Sequence, residues 1–252
     1  MKKGLSFLLV LLLLGVFVYS GWNLLQISIE YRRGEQEYAR LAGYIVVPET
    51  TAAPEAPIQE AQASQEEWWP QVDFAALQQL NPDVVGWIYL EGTDINYPIV
   101  QGFDNEVYLY HLVSGEYNSA GSIFLDAGAS SAFLSRNHPV YGHHMKNGTM
   151  FADLVEYRSQ EFYDAHPVAY LLTPEKNYKV YLFSAYTADA LDDAWQIRFS
   201  DAEYACWLEE IQKKSCFSGD VTATTDDRIV TFSTCTYETD DARFVVHGIL
   251  AE

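Results

Sequence analysis

Basic side chains are scarce in this chain: 15 Lys and Arg stand against 35 Asp and Glu, a formal net charge of −20 at pH 7 over 252 residues. An excess of that sign repels phosphate backbones. No stripe of Lys and Arg interleaved with aromatics relieves it, so nucleic acid is excluded as a partner and charge does not draw the chain to anionic lipid. Cysteine is nearly absent as well. Cys206, Cys216 and Cys235 are an odd and low count that describes no disulfide framework. Cys206 and Cys216 fall where one helix is expected, which would hold them too far apart to bond, so both are expected to be structural thiols. Metal-ligand spacing is missing too. His143 and His144 are adjacent with no supporting Cys, Asp or Glu cluster, so no metal and no cofactor are expected. No period of about 20 to 50 residues recurs, which excludes a repeat architecture.

Long apolar runs are rare, with one exception at the start. From Gly4 to Ile29 there is no charged residue, and Leu5 to Tyr19 is almost wholly aliphatic or aromatic. The run exceeds the roughly 20 residues a helix needs to cross a bilayer, so residues 1–29 are read as a transmembrane anchor. A cleaved signal peptide has a shorter apolar core ending in a small-x-small site, whereas Tyr19, Trp22 and Asn23 follow the core here. Lys2 and Lys3 argue for a cytoplasmic N-terminus while Arg32 and Arg33 flank the other end, so charge alone leaves the orientation open. Residues 30–66 form a juxtamembrane segment that can continue as a helix to about Tyr44 and then turns into a linker. From Pro48 to Glu66 it is rich in Pro, Ala, Glu and Gln with almost nothing to bury. That composition predicts a semi-extended acidic tether that holds the remainder of the chain away from the bilayer.

Residues 67–252 have the length of one domain with a sizeable core. Val72 to Leu80 has helical apolar spacing and stops at Asn81-Pro82. Gly86 to Val100 reads as two short strands around Glu91-Gly92, with further strands at Ser122–Leu125, Pro139–Tyr141 and Tyr178–Tyr186. Thr149 is placed to cap a helix carrying Phe151, Leu154 and Val155, and Ser200 with Glu203 makes a capping box for a helix running to about Ser215. Many strands with few, unevenly placed helices predict a mainly β barrel or sandwich.

The chemistry concentrates near the C-terminus. Arg228 to Cys235 is β-branched and aromatic with no Gly or Pro, the pattern of a strand ending at the cysteine, and Arg243 opens a second strand after a short polar segment. A free cysteine usually behaves as a small buried hydrophobe. A strand end is exposed enough to react, however, and the fixed charge of Arg243 favours thiolate and can hydrogen-bond a developing oxyanion. Among six histidines, His143 lies in a Gly-flanked loop directly after a strand, suited to present an imidazole to a cleft. His247 is the local rival, sharing strand parity with Arg243, while His111, His138, His144 and His166 have weaker positions. Parity places Ser233 and Thr231 on the face of Cys235, either lining the cleft or packing within the sheet.

Thr-Phe-Ser-Thr-Cys235 followed by Arg243, with Tyr-Gly-His143 upstream, resembles the sortases, membrane-anchored cysteine transpeptidases of Gram-positive bacteria. Gly86-Trp-Ile, Tyr97-Pro-Ile-Val-Gln101, Asp104-Asn105, Gly121-Ser-Ile-Phe-Leu-Asp126 and the run from Tyr141 to Phe151 narrow the likeness to class B, over essentially all of residues 68–252. One departure is His144, where class B members often carry Asn. The resemblance implies an eight-stranded closed β-barrel with N-terminal helices and a helix before the cysteine strand. It assigns Cys235 as nucleophile, His143 as general acid/base and Arg243 as oxyanion stabiliser. It also implies a domain outside the cell that cleaves an Asn-Pro-x-Thr type motif of secreted proteins and passes the acyl group to an amine of a peptidoglycan precursor or a pilin. Two other functions compete. A cysteine hydrolase differs only in letting water reach the thioester, and a non-catalytic anchored binding domain gives no reason for thiol, imidazole and guanidinium to converge.

Overall fold

A computed structural model describes residues 2–48, 69–189, 191–235 and 242–252. Two minimal strands, β1 (Ile45–Val46) and β2 (Gln71–Val72), pair with each other, and eight more make the body of the molecule. These are β3 (Val84–Tyr89), β4 (Asn96–Val100), β5 (Ile123–Leu125), β6 (Asn137–Tyr141), β7 (Val168–Leu172), β8 (Asn177–Ala188), β9 (Ile229–Cys235) and β10 (Arg243–Ala251). They close into a barrel in the order β10-β8-β7-β3-β4-β5-β6-β9, as expected for the eight-stranded fold. Closure leaves no free edge to pair with another chain.

The apolar run of β9 does not alternate because both of its faces are covered. Val230 and Phe232 belong to the main core with Trp87, Phe124, Phe244 and Val246. Ile229 instead packs in a second cluster with Val245, Tyr186 and the inward face of α4 (Asp201–Lys213), through Tyr204, Trp207 and Ile211. A strand buried on both sides reads as continuous hydrophobicity. α4 starts at the expected capping box: the Ser200 side chain accepts from Glu203 N, and the Glu203 carboxylate accepts from Ser200 N. It ends at Lys213, before Cys216, and both Cys206 and Cys216 are exposed thiols rather than packed ones.

Two local expectations give way. Gln71 and Val72 are taken by β2, so α2 runs only over Phe74–Leu80, capped by Asp73 accepting from Ala76 N at 2.9 Å. Thr149 does not cap the next helix. Its hydroxyl bonds Asn147 Oδ1 at 2.9 Å, Met150 takes a left-handed φ of 62°, and a 3-10 helix, Ala152–Arg158, begins after Phe151.

The N-terminal helix α1 (Lys2–Leu41) is continuous from the apolar run into the juxtamembrane residues, and it is apolar and long enough to cross a membrane. Beyond Ile29 it docks on the barrel. Gly34, Tyr38 and Leu41 are buried, Glu30 and Glu37 accept backbone N–H groups of Ser119 and Ser114, and Asn147 Nδ2 donates to Glu35 at 2.8 Å. Most of the acidic stretch, residues 49–66, lies outside the described residues, but its flanks bear on the tether reading. β1 and β2 pair antiparallel, Ile45 opposite Val72 and Val46 opposite Gln71, so the chain enters and leaves that stretch at one place. α1 itself carries the apolar run to the barrel without a break.

Candidate active site

β9 lies between β6 and β10, and its last residue meets a functional group from each side. Toward β10 the antiparallel register places Arg243 directly opposite Cys235 and Val245 opposite Ser233. Directly opposed side chains share a face with Cβ atoms about 4.5–5.5 Å apart, so thiol and guanidinium leave the sheet together. Toward β6 the pairing is parallel, Tyr141 with Ser233, and Gly142 N donates to Ser233 O at 3.1 Å to extend the ladder one step further. His143, the next residue, therefore emerges beside the end of β9. Gly142 permits this because a Cβ there would lie 2.4 Å from Ile123 Cδ1 and 2.7 Å from Phe151 Cδ2.

Cys235, His143 and Arg243 line one cleft of about 370 Å³, with Trp195, Ser233 and Asn105 among its walls. Cys235 is half-buried at the end of β9. His143 Nε2 lies 2.8 Å from Leu109 O, and since a carbonyl can only accept, Nε2 carries a proton. Nδ1 is the nitrogen left to gain or lose one. Burial lowers the His143 pKa below the ordinary imidazole value and the Arg243 charge adds to this, while the Leu109 carbonyl opposes them. His144 acts elsewhere. Its Nδ1 faces Cys235 O at 3.3 Å, so it steadies the backbone of the cysteine.

The two residues matched to Cys235 by parity part company. Ser233 lines the cleft, its hydroxyl accepting from Trp195 Nε1 at 2.9 Å. Thr231, four residues below the cysteine, is fully buried under the α4 layer, its hydroxyl donating to Asn137 Oδ1 at 2.7 Å and meeting His247 Nδ1 at 2.9 Å. Asn137 in turn donates to Ala194 O and Gln196 O, at 3.1 and 3.0 Å, the carbonyls either side of Trp195. This buried chain fixes the segment that hangs Trp195 beside the cleft. Sequence reasoning missed Trp195 and quoted Asn105 only as part of the family likeness, without a place in the cleft; Asn105 is set by bonds with Asp126 Oδ2 and Ala127 N, each 2.8 Å.

The other histidines are occupied in holding the fold. His111 and His166 meet Val107 O and Glu91 O, at 2.7 and 2.9 Å. His138 bonds Ile229 O and accepts from Ser135 N, and His247 lies among Tyr186, Phe183 and Trp207. Burial pushes His138 down to about 4 and His247 to about 3. The sign of the linkage follows. The unfolded chain takes up protons below about pH 6.5 and the native state does not, so stability present above that pH is lost as pH falls toward the native values. Urea unfolding at pH 7.5 and 5.5 is expected to show a loss of about 1.4 kcal/mol per histidine per pH unit below 6.5, before carboxylates titrate. An unchanged midpoint would contradict neutral, buried imidazoles.

Comparison with known proteins gives a consistent picture. A family model described as the sortase domain matches residues 88–251. The chain is similar to sortase B of Listeria monocytogenes, 33% identical over 254 residues, which cover 99% of this chain and 98% of that protein. It is also similar to the solved sortase B of B. anthracis, with 36% identity, a TM-score of 0.73 and coverage of 89% and 99% of the two chains. A Staphylococcus aureus sortase B–substrate complex aligns with 37% identity and a TM-score of 0.68, over 71% of this chain and 84% of that one.

Proposed function

The chain belongs to the sortase B family of cysteine transpeptidases, and we propose that Cys235, His143 and Arg243 carry its reaction on the sorting motif of a secreted protein. The observation that carries this reading is the register: one strand ends in sulfur, with guanidinium opposite on one neighbour and imidazole emerging from the other. With its pKa lowered, the free His143 ring is neutral at pH 7, Nε2–H on Leu109 and Nδ1 open. As the scissile carbonyl arrives, the Cys235 proton passes to Nδ1 and sulfur bonds the carbonyl carbon. Arg243 meets the developing oxyanion. The C–N bond then breaks, the imidazolium gives its proton to the leaving amine, and a thioester remains. An incoming amine reverses these steps: nitrogen bonds the acyl carbon, its proton goes to His143 and on to the departing sulfur.

The substrate is assigned as an Asn-Pro-x-Thr type motif cleaved after Thr, and the acceptor as a primary amine of a wall precursor or pilin. A solved S. aureus sortase B holds a substrate and another solved sortase B is complexed with triglycine, which supports a peptide acyl donor and an amine acceptor. On this reading α1 anchors the barrel outside the cell with Lys2 and Lys3 inside. Acid quenching with an Asn-Pro-x-Thr peptide is expected to yield a chain heavier by the acyl fragment, mapped to Cys235. Added triglycine is then expected to divert product from acid to amide. Products that remain free acid at every amine concentration would assign a hydrolase instead.

A further inference from the structure

α1 does more than tie the barrel to a bilayer; it fixes the barrel's height and attitude. The uncharged run from Gly4 to Ile29 is about 39 Å long at 1.5 Å per residue, enough for the ~30 Å hydrocarbon core and one headgroup layer. Glu30 therefore stands at the outer edge of that layer. The helix does not break there. Over the next turns it is fastened to one hairpin of the barrel: Asn118 Nδ2 donates to Glu30 O at 2.9 Å, Ser119 N to Glu30 Oε1 at 2.6 Å, and Arg33 pairs with Glu116 at 3.0 Å. Gly34 is buried here, and a Cβ on it would lie 3.3 Å from Asn118 Oδ1, so helix and hairpin are in close contact.

The hairpin is residues 110–118, closed by Asn118 N to Tyr110 O and Leu112 N to Glu116 O, both 2.9 Å. Tyr117 sits between the residue bonded to Arg33 and the residue bonded to Glu30. It is thus level with α1 residues 30–33, within about one helical turn, ~5 Å, of the end of the span. Its side chain is spread outward. Tyr117 is 64% exposed and Tyr110 45% exposed, with their rings stacked at 6.4 Å. Two exposed amphipathic rings at headgroup depth are the arrangement that favours the membrane–water interface. Tyr110 reaches inward as well: its ring centroid is 6.0 Å from that of His143.

We infer that Tyr117 and Tyr110 rest in the headgroup layer of the bilayer that α1 crosses, so that the cleft opens at the lipid surface. The inference depends on α1 spanning the membrane but not on the roles assigned to Cys235, His143 and Arg243. The chain's net charge supplies no attraction, and none is needed, because the span itself presents the rings to the interface.

The test uses the full chain in phosphatidylcholine nanodiscs, with photoreactive benzoylphenylalanine replacing Tyr117, Val16 within the span, or Val46. Val46 is 64% exposed and lies beyond the far end of α1. After irradiation, intact mass is expected to show a phospholipid adduct at positions 16 and 117 and none at 46. An adduct at 16 without one at 117 overturns the inference while leaving the anchor in place. No adduct at 16 removes both, equal labelling at 46 shows unspecific contact and overturns it, and crosslinking of position 117 to an added sorting protein instead of lipid assigns that face to a protein partner.

Discussion

Cys235→Ala is expected to abolish acyl transfer, by at least about 10⁴-fold, while leaving thermal stability within the scatter of surface substitutions. Both halves of that expectation come from the position of the residue. Activity is lost because, among the described residues, the neighbouring thiols and hydroxyls are engaged or placed elsewhere. Ser233 gives its oxygen to Trp195, Thr231 is sealed beneath α4, and Cys206 and Cys216 face solvent elsewhere. Stability is spared because Cys235 is half-buried at a strand end and belongs to neither apolar cluster, so truncation leaves no core cavity of the kind that costs several kcal/mol. The measurement is release and amide formation from a labelled sorting peptide, with unfolding followed in parallel. Residual transfer near the wild-type rate would remove Cys235 from the mechanism. A large fall in stability would mean that the loss of activity reports on folding.

How much of this was legible in the chain depends on the kind of information each feature needs. The β9 strand was readable because β-branched and aromatic residues without Gly or Pro announce themselves locally, β10 because Phe244, Val245 and Val246 follow Arg243 in the same way, and the α4 start because a capping box is four consecutive residues. The meeting of His143 with Cys235 was available from the family likeness but not from pattern. It rests on a parallel pairing of β6 with β9, and nothing in two separate apolar runs specifies that they lie side by side. Thr231 illustrates a related limit. Parity states which face a side chain takes, and it was right for Thr231 and Ser233, but what covers that face four residues further along is decided by α4. Trp195 sits in a stretch without repeating hydrophobicity, held by the side chain of Asn137, so no periodicity marks it. The pairing of β1 with β2 on either side of the acidic stretch was not legible because two-residue strands fall below any pattern, and composition reports what a segment cannot bury, never where its ends are.

Arg243→Gln is expected to lower kcat by about 10²- to 10³-fold with little change in KM, the signature of a group that acts on charge developing in the transition state. Its second effect has a fixed sign. The Arg243 charge is one of the causes that depress His143, secondary to burial, so its removal lets the imidazole pKa rise and moves the histidine-dependent limb of the pH–rate profile to higher pH. Arg243→Lys separates the two contributions. The ammonium keeps the charge, so the limb should stay near its wild-type position, but it lacks the planar fork and cannot aim two donors from opposite Cys235, so kcat should remain well below wild type. A rise in KM at constant kcat in both variants would instead make Arg243 a ground-state binding residue. A limb that stays put in Arg243→Gln would mean the guanidinium does not act on His143, and the geometry drawn from the β10–β9 register would need another interpretation.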